Sequence, residues 1–123
     1  MTHETEVAQE LVRAWPECWR EGMLAVFGRN QVRVTGTLPH PYGDGAGATM
    51  FNRSTLGWYP ALSDGATRGA LLQGLRELTN RPFLSTRYDP LNGWAVADFS
   101  ERITGWHDSE GIAIAKAIIE VKG

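Results

Sequence analysis

The residues of this sequence best suited to binding chemistry are aromatic rings and an arginine beside the predicted strands. Arg87 and Tyr88 end one predicted strand, and Trp94 begins the next. Trp106 and His107 precede the last helix. An anionic, planar ligand needs rings to stack on and guanidinium groups to hold its phosphate, and this segment supplies both. The ordinary alternative is that the tryptophans are core residues and the arginine lies on a solvated face.

The candidate binding residues are expected to meet at one end of a sheet. They are Trp58, Tyr59, Arg87, Trp94, Trp106 and His107. The chain holds 5 Trp among 123 residues, which is more than a small core readily accommodates. The sequence therefore predicts a binding surface, and a homodimer is compatible with it.

Two histidines lie close to a carboxylate in the sequence, which is one arrangement for a general base. His40 lies near Asp44, and His107 is followed by Asp108. The sequence contains no H-E-x-x-H and no G-x-S-x-G, and a helix cap explains Asp108 more simply. A small hydrolase is therefore the lowest-ranked alternative, and we predict no catalytic residue, no metal and no cofactor.

Composition and charge exclude further classes of function. The 12 Lys+Arg and 14 Asp+Glu give a net charge of −2, which does not attract the chain to nucleic acid or anionic lipid. The last helix begins with Asp108 and Glu110, where a duplex RNA-binding module needs basic residues. Cys18 is the only cysteine, so neither an intramolecular disulfide nor a cysteine-rich zinc cluster forms, and its thiol is expected to be buried and inert. A cytoplasmic protein without signal peptide or membrane anchor is expected.

The first half of the chain predicts a helix and two strands separated by a loop. Apolar residues at helical spacing from Val7 predict a helix, which Pro16 either kinks or interrupts before a second helical segment through Phe27. Residues 31–35 alternate like a strand, and an irregular strand is expected over 49–58. Residues 43–48 formally fit a G-x-G-x-x-A dinucleotide fingerprint, but no helical pattern follows, so a loop over 36–48 is the better interpretation.

The second half predicts a helix, a hairpin and a terminal helix. Ser63 or Asp64 caps a helix that ends at Asn80-Arg-Pro82. Two strands, 83–88 and 94–99, flank an Asn-Gly turn. A short strand over 102–106 and a helix capped by Asp108 or Ser109 complete the chain.

These elements together predict one α+β domain over residues 1–123. The expected order is α-β-β-α-β-β-(β)-α. The economical arrangement is a two-layer sandwich, in which an antiparallel sheet of four or five strands has the helices on one face.

Residues 60–77 carry a recurring pattern. They read Pro-Ala-Leu-Ser-Asp-Gly-Ala-Thr-Arg-Gly-Ala-Leu-Leu-Gln-Gly-Leu-Arg-Glu, and contain L-[ST]-D-x-A-T-x-G-x-L-L-x-x-x-R-E. With the hairpin and terminal helix that follow, this C-terminal half resembles small phage and prophage proteins. In that family a proline usually stands at Gly65, a leucine at Arg68, and Ala-Trp-Gly at residues 78–80. The motif is a helix cap and an amphipathic helix without a catalytic signature.

The resemblance implies a genomic setting, that of phages and prophages, but no specific target. Accessory phage proteins of this size act by binding in the host cytosol, most often by inhibiting a bacterial host or defence protein. The alternative that it implies is a sponge that sequesters a small signalling nucleotide. The resemblance does not extend to residues 1–59.

Overall fold

The computed structural model of the protein describes residues 2–34, 57–99 and 101–123. The helices in these ranges are α1 (His3–Ala14), α2 (Gly65–Thr79) and α3 (Glu110–Lys122). The strands are β1 (Leu24–Phe27), β2 (Asn30–Arg33), β3 (Tyr59–Pro60), β4 (Leu84–Asp89), β5 (Gly93–Asp98) and β6 (Glu101–Arg102). The α+β class is confirmed. The predicted loop over 36–48 and most of the predicted strand over 49–58 lie outside the described residues.

Within the described ranges the strands form two antiparallel sheets of three strands each, so the predicted single sheet of four or five strands is not confirmed. The first sheet has the order β2-β1-β3, and the second has the order β4-β5-β6. The predicted element order also differs, because it contained a helix where β1 lies.

The predicted second helical segment through Phe27 is wrong. Helix α1 ends at Ala14, and the Trp15 N–H donates to the Leu11 carbonyl oxygen at 2.8 Å. Pro16 therefore interrupts the helix, since residues 24–27 that follow are extended.

A tight hairpin replaces that helix. Strands β1 and β2 pair from Leu24 with Arg33 to Phe27 with Asn30, which leaves a two-residue turn at Gly28 and Arg29. Gly28 has a φ of 60°, and a glycine at the first turn position is typical of a type II′ hairpin. A Gly-X pair between two short segments is the local signal of such a turn.

The elements predicted for the second half are present. Asp64 is the N-cap of α2, and Asn80 ends the helix in the left-handed conformation with a φ of 56°. Strands β4 and β5 form the predicted hairpin. Ser109 caps α3 by accepting from the Ile112 N–H at 3.1 Å, whereas the predicted strand over 102–106 is reduced to β6 and an isolated bridge.

Helix α3 lies in the middle of the core. It contacts α1, α2, β4 and β5, and its residues from Gly111 to Ala115 are all buried. Gly111 lets α3 approach the chain before α2, because a Cβ atom there would collide with the Leu62 carbonyl oxygen. Among the helices that the structure describes, none is long and apolar enough to cross a membrane.

Two clusters of polar side chains join the sheets to the helices. The Asp64 carboxylate accepts from Arg33 at 2.7 Å and from the Thr67 hydroxyl at 2.9 Å, which ties the first sheet to the start of α2. Glu110, in the first turn of α3, accepts from Arg68 at 2.8 Å and from the Thr86 hydroxyl at 2.6 Å. The second cluster therefore fixes the second sheet relative to α2 and α3.

Candidate functional site

The six predicted site residues do not meet at one point. Trp58 and Tyr59 lie at the first sheet, where the Trp58 ring centroid is 5.3 Å from that of Phe27. Tyr59 lines a shallow cavity of about 170 Å³ beside α1. Of the other four, Arg87 and Trp94 lie in the second sheet and Trp106 and His107 lie beside it, and the two faces of the sheet divide them.

Trp94 and His107 lie on the face that meets the helices. Their backbones exchange two hydrogen bonds of 2.7 Å, which extends the sheet beyond β6. The Trp94 ring packs against the core, and its centroid is 5.0 Å from that of Tyr88. These residues close one end of the core.

His107 is poorly placed to act as a general base. Burial and the positive charge of Lys116 lower the pKa of its imidazole, which favours the neutral form that a general base needs, so the weakness of His107 lies in its missing partner. No carboxylate in the described ranges lies within ion-pair distance of the ring to orient it. The other candidate, His40, lies outside the described residues. Within the described ranges, no group of three or more His, Cys, Asp and Glu side chains could hold a metal ion.

Arg87 lies on the opposite face of the second sheet, which turns away from the helices. The alternation of side chains follows from the register, in which Arg87 pairs with Ala95, and Ala97 pairs with Arg102. The intervening Val96 belongs to the core, so the two alanines and the two arginines share the other face. Ala95 and Ala97 form the floor of this face and are themselves buried, whereas the two arginines beside them are exposed.

Trp106 stands next to this floor and is held by an arginine. The guanidinium carbon of Arg102 lies 4.9 Å from the centroid of the Trp106 ring, which is a cation–π contact. On the other side of the floor, the Arg87 guanidinium donates to the Phe99 carbonyl oxygen. Sequence analysis did not identify Arg102 as a candidate. Only its pairing with Ala97 puts it on this face, and the sequence does not reveal that pairing.

Two phenylalanines complete the surface. The rings of Phe83 and Phe99 lie 5.3 Å apart, and these residues are 65% and 75% exposed. Sequence reasoning missed both as site residues, although Phe83 keeps the alternation of Ser85 and Arg87 on β4. We call this surface the outer face, and its members are Phe83, Arg87, Phe99, Arg102 and Trp106.

Phe99 has an unusual backbone. Its φ is 54°, in the left-handed region that costs a residue with a Cβ atom about 1–2 kcal/mol. The other non-glycine residue with positive φ in the described ranges is Asn80, a helix C-cap, where this conformation is common. Phe99 stands in the turn between β5 and β6, where Asp98 pairs with Glu101 and a positive φ is required, so an asparagine or glycine would suit this backbone better than a phenylalanine.

Comparison of the chain with protein-family models, with curated proteins and with solved structures finds no match. The outer face is therefore the feature of the described structure that points to a function. Exposed phenylalanine rings beside exposed guanidinium groups can bind a surface that is apolar and acidic.

Proposed function

We propose that the protein acts by binding another protein through the outer face. The observation that carries this proposal is Phe99, an exposed ring held in a backbone conformation that disfavours it. Backbone strain of this kind clusters at functional sites. The resemblance of residues 60–77 to phage and prophage proteins supports a bacterial host or defence protein as the partner, which the binding would inhibit.

The composition of the outer face fits this role. Aromatic residues and arginine are enriched where interfaces hold most of their binding energy, whereas lysine and glutamate are depleted. The outer face has three aromatic rings and two arginines, in a chain whose net charge is −2. The partner is therefore expected to present apolar side chains together with carboxylates.

A homodimer is a separate prediction. In a symmetric contact through the outer face, Arg87 and Arg102 of both copies would lie in the same interface. Like charges in a desolvated contact are unfavourable, so this face suits an acidic partner better than a second copy. Sedimentation of the purified protein at several concentrations tests self-association.

Affinity capture from a bacterial lysate tests the proposal. The tagged protein is expected to retain one stoichiometric protein partner, identified by mass spectrometry. Phe99→Asn is expected to abolish capture while the free energy of unfolding stays equal or rises, because asparagine tolerates the left-handed backbone. A double variant, Arg87→Gln with Arg102→Gln, is also expected to lose the partner.

The matched control is Leu91→Asn. Leu91 is 93% exposed in the β4–β5 turn and is not part of the outer face, so this variant is expected to capture the partner as well as the wild type. Equal recovery of the partner by Phe99→Asn and by the wild type would contradict the proposed function.

A nucleotide sponge is the second candidate, because Arg102 and Trp106 already form a guanidinium–indole stack. A phosphate could bind Arg87 while a base replaced Arg102 on the ring. A cyclic nucleotide or ADP-ribose would then raise the melting temperature, since a ligand at 100 times its Kd adds about 2.7 kcal/mol of stability. Release of a nucleotide on denaturation of the captured protein would favour the sponge, and its absence favours the protein partner.

A further inference from the structure

A groove separate from the outer face lies between the segment after α1 and the exposed side of α2. Its volume is about 510 Å³. Trp15, Trp19 and Ala70 supply its apolar wall. Glu17, Arg20 and Glu21 supply charged groups around it. We call it the tryptophan groove.

The wall of the tryptophan groove is held in place by close packing. Trp15 is only 8% exposed, and a Cβ atom at Gly74 of α2 would lie 2.8 Å from the end of its ring. The Cys18 N–H donates to the Trp15 carbonyl oxygen at 3.1 Å, which closes a turn, and the Cys18 side chain is fully buried. The groove is therefore formed before any ligand arrives, which lowers the entropic cost of binding.

The charge around the groove is negative. Arg20 donates to both carboxylate oxygens of Glu77, at 3.1 and 2.5 Å, so its positive charge is compensated. Glu17 and Glu21 are exposed, and in the described ranges neither takes part in an ion pair. Two uncompensated carboxylates thus stand beside an indole wall.

We propose that the tryptophan groove binds a lysine or arginine side chain presented by a partner protein. An organic cation gains a cation–π contact from an indole and an ion pair from a carboxylate, and its aliphatic stem packs on the apolar wall. The opposite charge of the groove and the outer face makes the two sites distinct. This inference does not depend on the proposed function.

A tetralysine peptide is the probe, titrated into the ¹⁵N-labelled protein at low salt. The indole N–H signals of Trp15 and Trp19 are expected to shift in a saturable way, while those of Trp94 and Trp106 stay in place. Assignment uses single Trp→Phe variants. The same peptide with acetylated lysines is expected to bind at least tenfold more weakly, since it lacks the charge.

The paired variants separate the groove from general electrostatic attraction. Glu17→Gln with Glu21→Gln is expected to weaken tetralysine binding at least tenfold. Glu6→Gln with Glu101→Gln removes the same charge from exposed positions elsewhere and is expected to change binding less than twofold. Equal weakening by both pairs, an absence of saturable binding, or shifts at Trp94 and Trp106 instead would each overturn the proposal.

Discussion

Asp64 links the start of helix α2 to the first sheet. It caps α2 through the Thr67 N–H at 3.0 Å and also binds Arg33 of β2. The Thr67 hydroxyl accepts from the Leu24 N–H of β1 at 2.8 Å and donates to Asp64, so the cap and the first sheet share one network. The Arg33 hydrogen bonds lower the pKa of Asp64 below its ordinary value of 3.8, and the hydrogen bonds from Thr67 add to this effect.

Replacing Asp64 with alanine is expected to lower the free energy of unfolding by about 2 kcal/mol at pH 7, because the cap and the ion pair are both lost. The pKa of Asp64 is lower in the folded state, so the unfolded chain binds the proton more tightly. The stabilisation is therefore complete above pH 3.8 and is lost as the pH falls through the folded-state pKa. Urea unfolding between pH 7 and pH 2 should show the two proteins converging in acid.

Asp108→Ala is the control for that measurement. Asp108 is exposed and precedes the true cap, Ser109, so its removal is expected to change stability by less than about 0.5 kcal/mol. A constant difference between the wild type and Asp64→Ala at every pH would show that the Asp64 charge adds nothing.

The first residue of helix α2, Gly65, can be replaced to raise the stability of the protein. Gly65 is the first residue after the cap, and a Cβ atom there has only ordinary contact with Arg68 at 3.8 Å. Asp64 before it is extended, with φ −83° and ψ 127°, which is the conformation that a following proline requires.

Gly65→Pro is expected to raise the free energy of unfolding by about 1 kcal/mol, because proline suits the first helical position and restricts the unfolded chain. Gly69→Pro, one turn later in the same helix, removes a helical hydrogen bond and is expected to cost about 3 kcal/mol or more. Thermal and urea unfolding measure both. A loss of stability in Gly65→Pro would mean that α2 does not start at residue 65.

The second sheet depends on Gly93 at the start of β5. Its φ is 102°, and a Cβ atom there would collide with the His107 carbonyl oxygen that binds the Trp94 N–H. The left-handed backbone and the close approach thus both require glycine.

Gly93→Ala is expected to lower the free energy of unfolding by at least about 2 kcal/mol, since strain and a broken bridge add together. Gly105→Ala, where a Cβ atom meets nothing within 4 Å, is the matched change and should cost less than about 0.5 kcal/mol. Hydrogen exchange at the Trp94 amide reports the bridge directly. Unchanged protection of that amide in Gly93→Ala would contradict this account.

At the scale of the whole molecule, a single hydrophobic cluster connects both sheets and the helices. It includes Cys18 after α1, Val34 after β2, Val96 of β5 and Ile118 of α3. Burial raises the pKa of the Cys18 thiol to about 12, so the folded protein offers almost no thiolate at neutral pH. The prediction that Cys18 is buried is confirmed. The rate at which its thiol reacts with a reagent therefore reports how often the protein unfolds.

Ile118→Ala is expected to cost about 2–5 kcal/mol and to raise the labelling rate of Cys18 at least about thirtyfold, because the two residues unfold together. Val121→Ala, at a position 46% exposed, is expected to change the rate only a few-fold. Labelling with a thiol reagent in native buffer measures both rates. Equal rates for Ile118→Ala and the wild type would show that Cys18 is exposed by local rather than global opening.

The sequence by itself determined the elements whose signals are local. The cap at Asp64 or Ser63, the stop at Asn80, the Asn-Gly hairpin and the apolar terminal helix each depend on neighbouring residues, and each is present. The helix predicted over residues 24–27 is wrong because this short apolar run suits a helix or a strand equally well. Its pairing with β2 decided between the two.

Only the tertiary structure decided which side chains share a surface. A one-residue change of register moves a strand residue to the other face, so the pairing of Ala97 with Arg102 fixes the outer face, and no local pattern reveals it. The pairing of β4 with β5, in which Arg87 lies opposite Ala95 and not Trp94, separates Arg87 from Trp94, which the sequence placed in one site. The division into two sheets likewise depends on contacts between residues far apart in the chain, whose free energy is gained only when the core closes.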